Sequence, residues 1–215
     1  MLSAVNYTLN HNRVLSLLQS CDCWVKSTRM GKNINNGYLM LGMRRHVQTP
    51  GVGLKTSTNR ELVERIIKLV RHAKPGFKFS SLYINKNFSG ALHYDKGNDG
   101  DSLMFTLGNF TGGDLWIYPG ERLRTKDKWI QFDGKRPHCT YDYVGDRYSI
   151  IIFTHSSFEW ATDAHKRELL SYGFPLPHKF IRQSNVCTLR EASKLLPSEL
   201  NHRVVDASHQ DSYSN

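Results

Sequence analysis

Sulfur chemistry has little material in this chain. Four cysteines, Cys21, Cys23, Cys139 and Cys187, stand among 215 residues, and their spacing gives no paired knuckles, which argues against a zinc framework and a disulfide scaffold. Reduced thiols are the expectation. Long apolar runs are also missing: nothing approaches the roughly 20 residues that a membrane span needs, so no membrane partner is expected. The opening stretch MLSAVNYTLNHNRV has no charged segment followed by an apolar one, so the expectation is a soluble intracellular protein, nuclear or cytoplasmic. Acidic residues are in deficit, 19 against 29 Lys and Arg, and the net charge of +10 suits polyanionic partners such as nucleic acid. With 39% hydrophobic residues, the chain can bury one substantial core and is short for two.

The periodicity divides the chain. Residues 1–57 read as an N-terminal extension, with a short helix expected around RVLSLLQSC and then a Gly- and Asn-rich loop, GKNINNGYLMLGM, that enters a strand. TSTNRELVERIIKLVRHAKPG carries the marks of an amphipathic helix. Thr58 and Glu61 are spaced as a capping box, Leu62, Val63, Ile66, Leu69 and Val70 form an apolar stripe, and Pro75 and Gly76 stop it. From there to about residue 155 the period becomes two. FSSLYINKN, GALHYD, SLMFTLG, GGDLWIYP, KWIQFDG, HCTYDYV and RYSIIIFTH are short, rich in β-branched and aromatic residues, and separated by turn formers. Residues 58–160 therefore read as a β core of the jelly-roll or barrel kind with its supporting helix. SFEWATDAHKRELLSYG is expected to be a helix, and TLREASKLLPSEL another, opened by Thr188 and Glu191 as a second capping box, within a C-terminal extension over 161–203. Residues 204–215 have little to bury and are expected to be disordered.

The chemistry gathers in two places. In ALHYDKGNDGD, His93 and Asp95 lie two apart, so on a strand they project from one face. His138, just after the turn DGKRP, can supply a third ligand from across the barrel. Two imidazoles and one carboxylate on one side of a metal leave positions open, the arrangement that suits non-haem Fe(II). Arg147 follows His138 by nine residues and Ser149 lies two further on, so a hairpin at Val144 to Asp146 would bring the Arg strand beside the His strand. Its guanidinium could clamp a carboxylate with two hydrogen bonds while Ser149 adds another. Asn98, Asp99 and Asp101 do not form a calcium loop, because its glycine and final glutamate are not at the required positions. Gly112 and Gly113 read as a hairpin turn, and Trp116, Tyr118, Trp129 and Tyr143 as core aromatics. His46 and His155 have no assigned role.

The order HxD, a distant His, then Arg-x-Ser in a β-rich core resembles the Fe(II)/2-oxoglutarate-dependent dioxygenases on the double-stranded β-helix fold. The finer pattern LHYDKGNDGDSLMFTLGNFTGGDLWIY resembles their TET/JBP branch, which oxidises pyrimidines in nucleic acid. The resemblance implies a mainly β fold with flanking helices and a jelly-roll, cupin-like core. It implies that His93, Asp95 and His138 hold Fe(II), that Arg147 with Ser149 binds 2-oxoglutarate, and that O2 is the other cosubstrate. The substrate would be the methyl group of 5-methylcytosine or thymine, in DNA more than RNA. Such a base must leave the stack, which calls for cations around the pocket. Lys96, Arg44 and Arg45, with Arg29, Lys32 and Lys55, are the candidate rim, and Asn98 a candidate substrate contact. Two further readings stand beside this one: a hydroxylase of protein side chains or small metabolites, and a β-helix protein that only binds.

Overall fold

The computed structural model describes residues 2–26, 36–46, 49–178 and 184–204; Arg29, Lys32, the side chain of His46 and the 206–215 tail fall outside the described set. The chain opens with α1 (Leu2–Ser20), β1 (Gly37–His46), β2 (Thr49–Val52), the single turn α2 (Lys55–Thr58) and α3 (Arg60–Ala73). Nine strands follow: β3 (Ser81–Lys86), β4 (Asn98–Leu107), β5 (Phe110–Gly112), β6 (Leu115–Ile117), β7 (Glu121–Leu123), β8 (Ile130–Asp133), β9 (His138–Thr140), β10 (Tyr143–Gly145) and β11 (Tyr148–His155). A 3-10 helix (Ser156–Trp160), α4 (Asp163–Ser171), α5 (Leu189–Ser193) and a second 3-10 helix (Ser198–Arg203) complete the described elements.

One six-stranded sheet runs β2-β1-β3-β11-β4-β8, and two small sheets, β10-β5 and β7-β6-β9, complete the β structure. The alternation of side chains explains what each face does. Leu39 and Leu41, Leu82 and Ile84, Ile150 and Ile152, and Leu103 and Phe105 pack in one cluster with Val14 and Leu18 of α1 and the apolar stripe of α3. The intervening residues, Tyr83, Asn85, Ser149, Ile151, Met104 and Thr106, therefore face the other way, into the barrel. There Met104 meets Leu115 and Ile117 of β6 and Phe132 of β8 in a separate buried cluster, so the sheets face each other across an apolar interior. From β4 to β11 the chain passes repeatedly between the large sheet and the small ones. This is a double-stranded β-helix, mainly β with flanking helices, as expected.

Several local expectations are corrected. The capping box at Thr58 and Glu61 does not form. Thr58 belongs to the preceding turn, its hydroxyl donating to the Lys55 carbonyl at 3.2 Å, and Glu61 is taken by Arg13 and Arg65, leaving Asn59 at the N-cap position. The second box does form: Thr188 accepts from the Glu191 amide at 3.2 Å, and the Glu191 carboxylate accepts from the Thr188 amide at 2.9 Å. The helix expected over 157–173 breaks at Ala161, where Thr162 starts α4 with its own capping box to His165. α1 is longer than the short helix expected. The GALHYD segment is extended but pairs only through an isolated bridge at His93. The Arg strand does not fold back beside the His strand either: β11 lies between β3 and β4, whereas β9 pairs with β6. The segment 138–147 crosses between sheets, with Gly145 at φ +105° in the passage.

Candidate metal centre

Backbone pairing brings the two imidazoles together. The His93 amide donates to the His138 carbonyl at 3.0 Å, and the His138 amide returns a bond to His93 at 2.8 Å. Two residues on, the Asp95 amide donates to the Gly134 carbonyl at 2.8 Å, which swings the carboxylate to the same side. One donor atom from each of His93, Asp95 and His138 lies within 4.8 Å of the others. His93 Nε2 is 3.5 Å and His138 Nε2 3.9 Å from Asp95 Oδ1. Ligand bonds of about 2.1 Å to one ion span nearly this separation.

The surroundings prepare each donor. His93 Nδ1 sits 2.7 Å from the Ala91 carbonyl and His138 Nδ1 2.8 Å from that of Arg136. A carbonyl accepts only, so each Nδ1 carries a proton and each Nε2 is the atom turned toward Asp95, the outer-partner arrangement that fixes metal-binding histidines. Burial, helped by the charge of His93, pushes His138 down to about 4, so its ring is neutral near pH 7. At Asp95, burial is the largest influence and raises the carboxyl. The His93 hydrogen bond and the charges of His138, His93 and Lys135 together overcome it, so the net position is below the usual carboxylate range. Two imidazoles and a carboxylate form the donor set that suits Fe(II).

Two supports were not legible as such in the sequence. Lys135, only 6% exposed, donates from Nζ to the carbonyls of Asp95 and Lys96 at 3.0 and 2.9 Å, pinning the loop behind the carboxylate. A Cβ on Gly134 would stand 2.9 Å from Asp95 Oδ2, so only glycine allows this approach. Both lie in the FDGKRPH stretch, where the sequence signal was a turn. Asn98, expected at the substrate, is committed elsewhere: its amide donates to Asp95 Oδ2 at 2.8 Å and Ser102 Oγ at 3.2 Å, which orients the carboxylate.

Arg147 is 1% exposed. Its guanidinium reaches the Phe88 carbonyl at 3.4 Å and the Gly113 carbonyl at 3.2 Å, and the rings of Phe110 and Tyr143 lie 5.6 and 5.5 Å away. No carboxylate pairs with it among the described residues, and its Nε has no partner at all. The nearby acids are bonded elsewhere: Asp114, whose charge still reaches Arg147, accepts from Arg122 at 2.9 Å, Asp146 accepts from Asn87 at 3.1 Å, and Asp142 takes His202 and Arg203. Burial lowers Arg147 to about 10, leaving it cationic at neutral pH. Ser149, two residues on in β11 and 3% exposed, accepts from Asn85 at 3.4 Å. Gly113, read from sequence as half of a hairpin turn, is a passage between sheets at φ +73°, and a Cβ there would lie 2.9 Å from Arg147 Nε.

The candidate rim residues divide. Lys96 is exposed on the ligand loop. Arg45, also exposed, lies close enough to His155 to help burial hold that imidazole down at about 4. Arg44 instead lays its stem over Gly53, where a Cβ would be 3.2 Å away.

No protein-family description and no curated protein matches the chain. Among solved structures it is similar to NgTET1 in complex with 5mC DNA, at 14% identity over 76% of each chain, with a TM-score of 0.50. It is also similar to an oxidoreductase of the 2OG-Fe(II) oxygenase family from Burkholderia pseudomallei, at 14% identity over 65% of this chain and 76% of that one, TM-score 0.45. A prolyl hydroxylase from Trichoplax adhaerens, in complex with a hypoxia inducible factor peptide, is similar at 14% identity over 73% of this chain and 82% of its own, TM-score 0.42. At this identity the likeness to NgTET1 is one of fold.

Proposed function

We propose that the chain is an Fe(II)/2-oxoglutarate-dependent dioxygenase that oxidises the methyl group of a pyrimidine base in nucleic acid. The observation that carries the reading is a pair of incomplete sites within one barrel. Two imidazoles and a carboxylate converge on one point, and a buried guanidinium, just before β11, has an unsatisfied Nε and no ion-paired acid among the described residues. A metal completes the first and a dicarboxylate the second.

When bound, ferrous iron chelated by 2-oxoglutarate activates O2, so that one oxygen atom enters a substrate C–H bond while the keto acid becomes succinate and CO2. The protein supplies placement. His93, Asp95 and His138 would hold the ion. Arg147 pairs with the far carboxylate of 2-oxoglutarate, and Ser149 donates its hydroxyl to the same end. Met104, Leu115, Ile117 and Phe132 keep the interior apolar, and the Phe132 ring stands 5.3 Å from that of His138, which limits the access of water.

Nucleic acid as the substrate is supported by the charge of +10, by the exposed cations Lys96, next to Asp95, and Arg45, near His155, and by fold likeness to a protein solved with 5mC DNA. The test is mass spectrometry of nucleosides after DNA is incubated with the protein, ferrous iron and 2-oxoglutarate. Oxidised pyrimidine is expected from the wild type and not from His93→Ala or Asp95→Ala. Equal product from the variants removes the assigned site. Succinate formed with peptides or metabolites, but with no nucleic acid, moves the assignment to the hydroxylase reading.

A further inference from the structure

A groove of about 780 Å3 opens on the helical side of the molecule, built from residues that the metal centre does not use. Its basic residues come from separate parts of the chain. Arg71 and Lys74 close α3, Lys78 precedes β3, Lys166 comes from α4, and His178 follows the Pro175–Pro177 turn. Arg71 is held in place by a 2.9 Å bond to the Gly173 carbonyl. Against these stand Glu159 within the groove and Asp163 beside it, 3.9 Å from Lys166. The floor is apolar, with Phe174 1% and Phe158 8% exposed, and Leu170 on its wall is 56% exposed.

We propose that this groove is a docking surface for the phosphate backbone of a nucleic-acid strand, outside the metal centre. A single phosphate would occupy a small part of such a volume, whereas cations spread along a groove from α3 to α4 match a repeated charge. The route to the metal loop is short. The Ser156 amide donates to the Gly97 carbonyl at 2.8 Å, next to the HxD segment, and the 3-10 helix that starts there carries Phe158 and Glu159 to the groove wall. At about 2.0 Å per residue this helix spans on the order of 10 Å, so the groove wall begins within a few residues of the HxD loop. A strand whose base is at the metal centre can therefore lay its flanking phosphates on these lysines. The inference rests on the nucleic-acid reading only for the choice of polyanion.

The experiment is fluorescence anisotropy of a labelled DNA oligonucleotide with the full chain over a series of salt concentrations. It compares wild type with the triple variant Lys74→Glu, Lys78→Glu, Lys166→Glu, and with the triple Lys→Gln variant as the milder substitution. The expected result is at least about tenfold weaker binding, and a log–log salt slope shallower by about 2 to 3, since each phosphate contact contributes about 0.9. Succinate formation without DNA should stay at the wild-type level, which shows that the metal centre is intact. Wild-type affinity and slope in both triple variants overturns the proposal. So does a loss confined to an oligo-glutamate peptide or to phosphatidylserine vesicles, which would assign the groove to an acidic protein or a membrane surface. Failure of the base-oxidation reading alone would appear as absent nucleoside product with groove-dependent DNA binding retained.

Discussion

A guanidinium buried with one N–H unmatched and no acid bonded to it is costly unless something anionic completes it. Arg147 is in that position, and its replacement should be felt mainly through the cosubstrate. Arg147→Gln should raise the KM for 2-oxoglutarate by about 10- to 100-fold, the value of a lost charge-assisted bond, and Arg147→Lys should recover little because it lacks the two-pronged donor geometry. Succinate formation against 2-oxoglutarate concentration reads both; an unchanged KM removes the clamp. Gly113→Ala should act on the same parameter, because a methyl 2.9 Å from Nε displaces the guanidinium and φ +73° is strained for alanine. The histidines make a separate point about acid. His138 and His155 are both held at about 4 by burial, below the ordinary 6.5. Between those values the unfolded chain binds protons that the folded chain does not. Their stabilising share is thus whole above pH 6.5 and is lost as the pH falls through 4. The Tm of the metal-free protein should drop across that window, and His155→Gln should make the drop shallower. An identical pH profile in the variant would contradict this.

The ligand loop and the C-terminal strap are where local elements meet function. Lys135 ties the carbonyls of Asp95 and Lys96 to the turn before β9, so Lys135→Met should leave the fold in place and weaken metal binding by about 10- to 100-fold, the usual cost of losing an outer partner. Titration with Mn(II) against a circular-dichroism control separates this from simple unfolding. The strap works from behind: the Leu92 amide donates to the Arg203 carbonyl at 2.8 Å, and Leu200 and Ala192 pack on Leu92, Trp116 and Tyr141. Leu200→Ala should cost about 2–5 kcal/mol, read as a lower denaturant midpoint. The strap's helix start was legible, since Thr188 and Glu191 carry a local signal. Its docking on Leu92 was not, because no short-range pattern encodes a contact between residues so far apart in sequence. The same contrast holds at the site. His93 and Asp95 were legible from period-two spacing and the strands from their β-branched runs. The partnership of β11 was misjudged, because a hairpin is the local reading of VGD while the barrel closes through pairings of high sequence separation. Lys135 and Gly113 gave only turn signals, and their roles exist only where the sheets meet.

Taken as a whole, the molecule sets a rigid sheet, backed by α1 and α3, against a smaller one that carries β9. The proposed metal ligands come from the HxD loop and the small sheet, and the proposed anion clamp comes from the residue that enters β11 of the large one. A net charge of +10 surrounds that barrel, so association with DNA should weaken steeply with salt, and a flat salt dependence would count against the nucleic-acid substrate. The central claim is that one cavity holds a metal on His93, Asp95 and His138 and a dicarboxylate on Arg147. Calorimetric titration of 2-oxoglutarate into anaerobic, Mn(II)-loaded protein tests it most directly. The account predicts one site that requires the metal and is lost in both His138→Ala and Arg147→Gln. Binding of equal strength without metal, or in either variant, would contradict it.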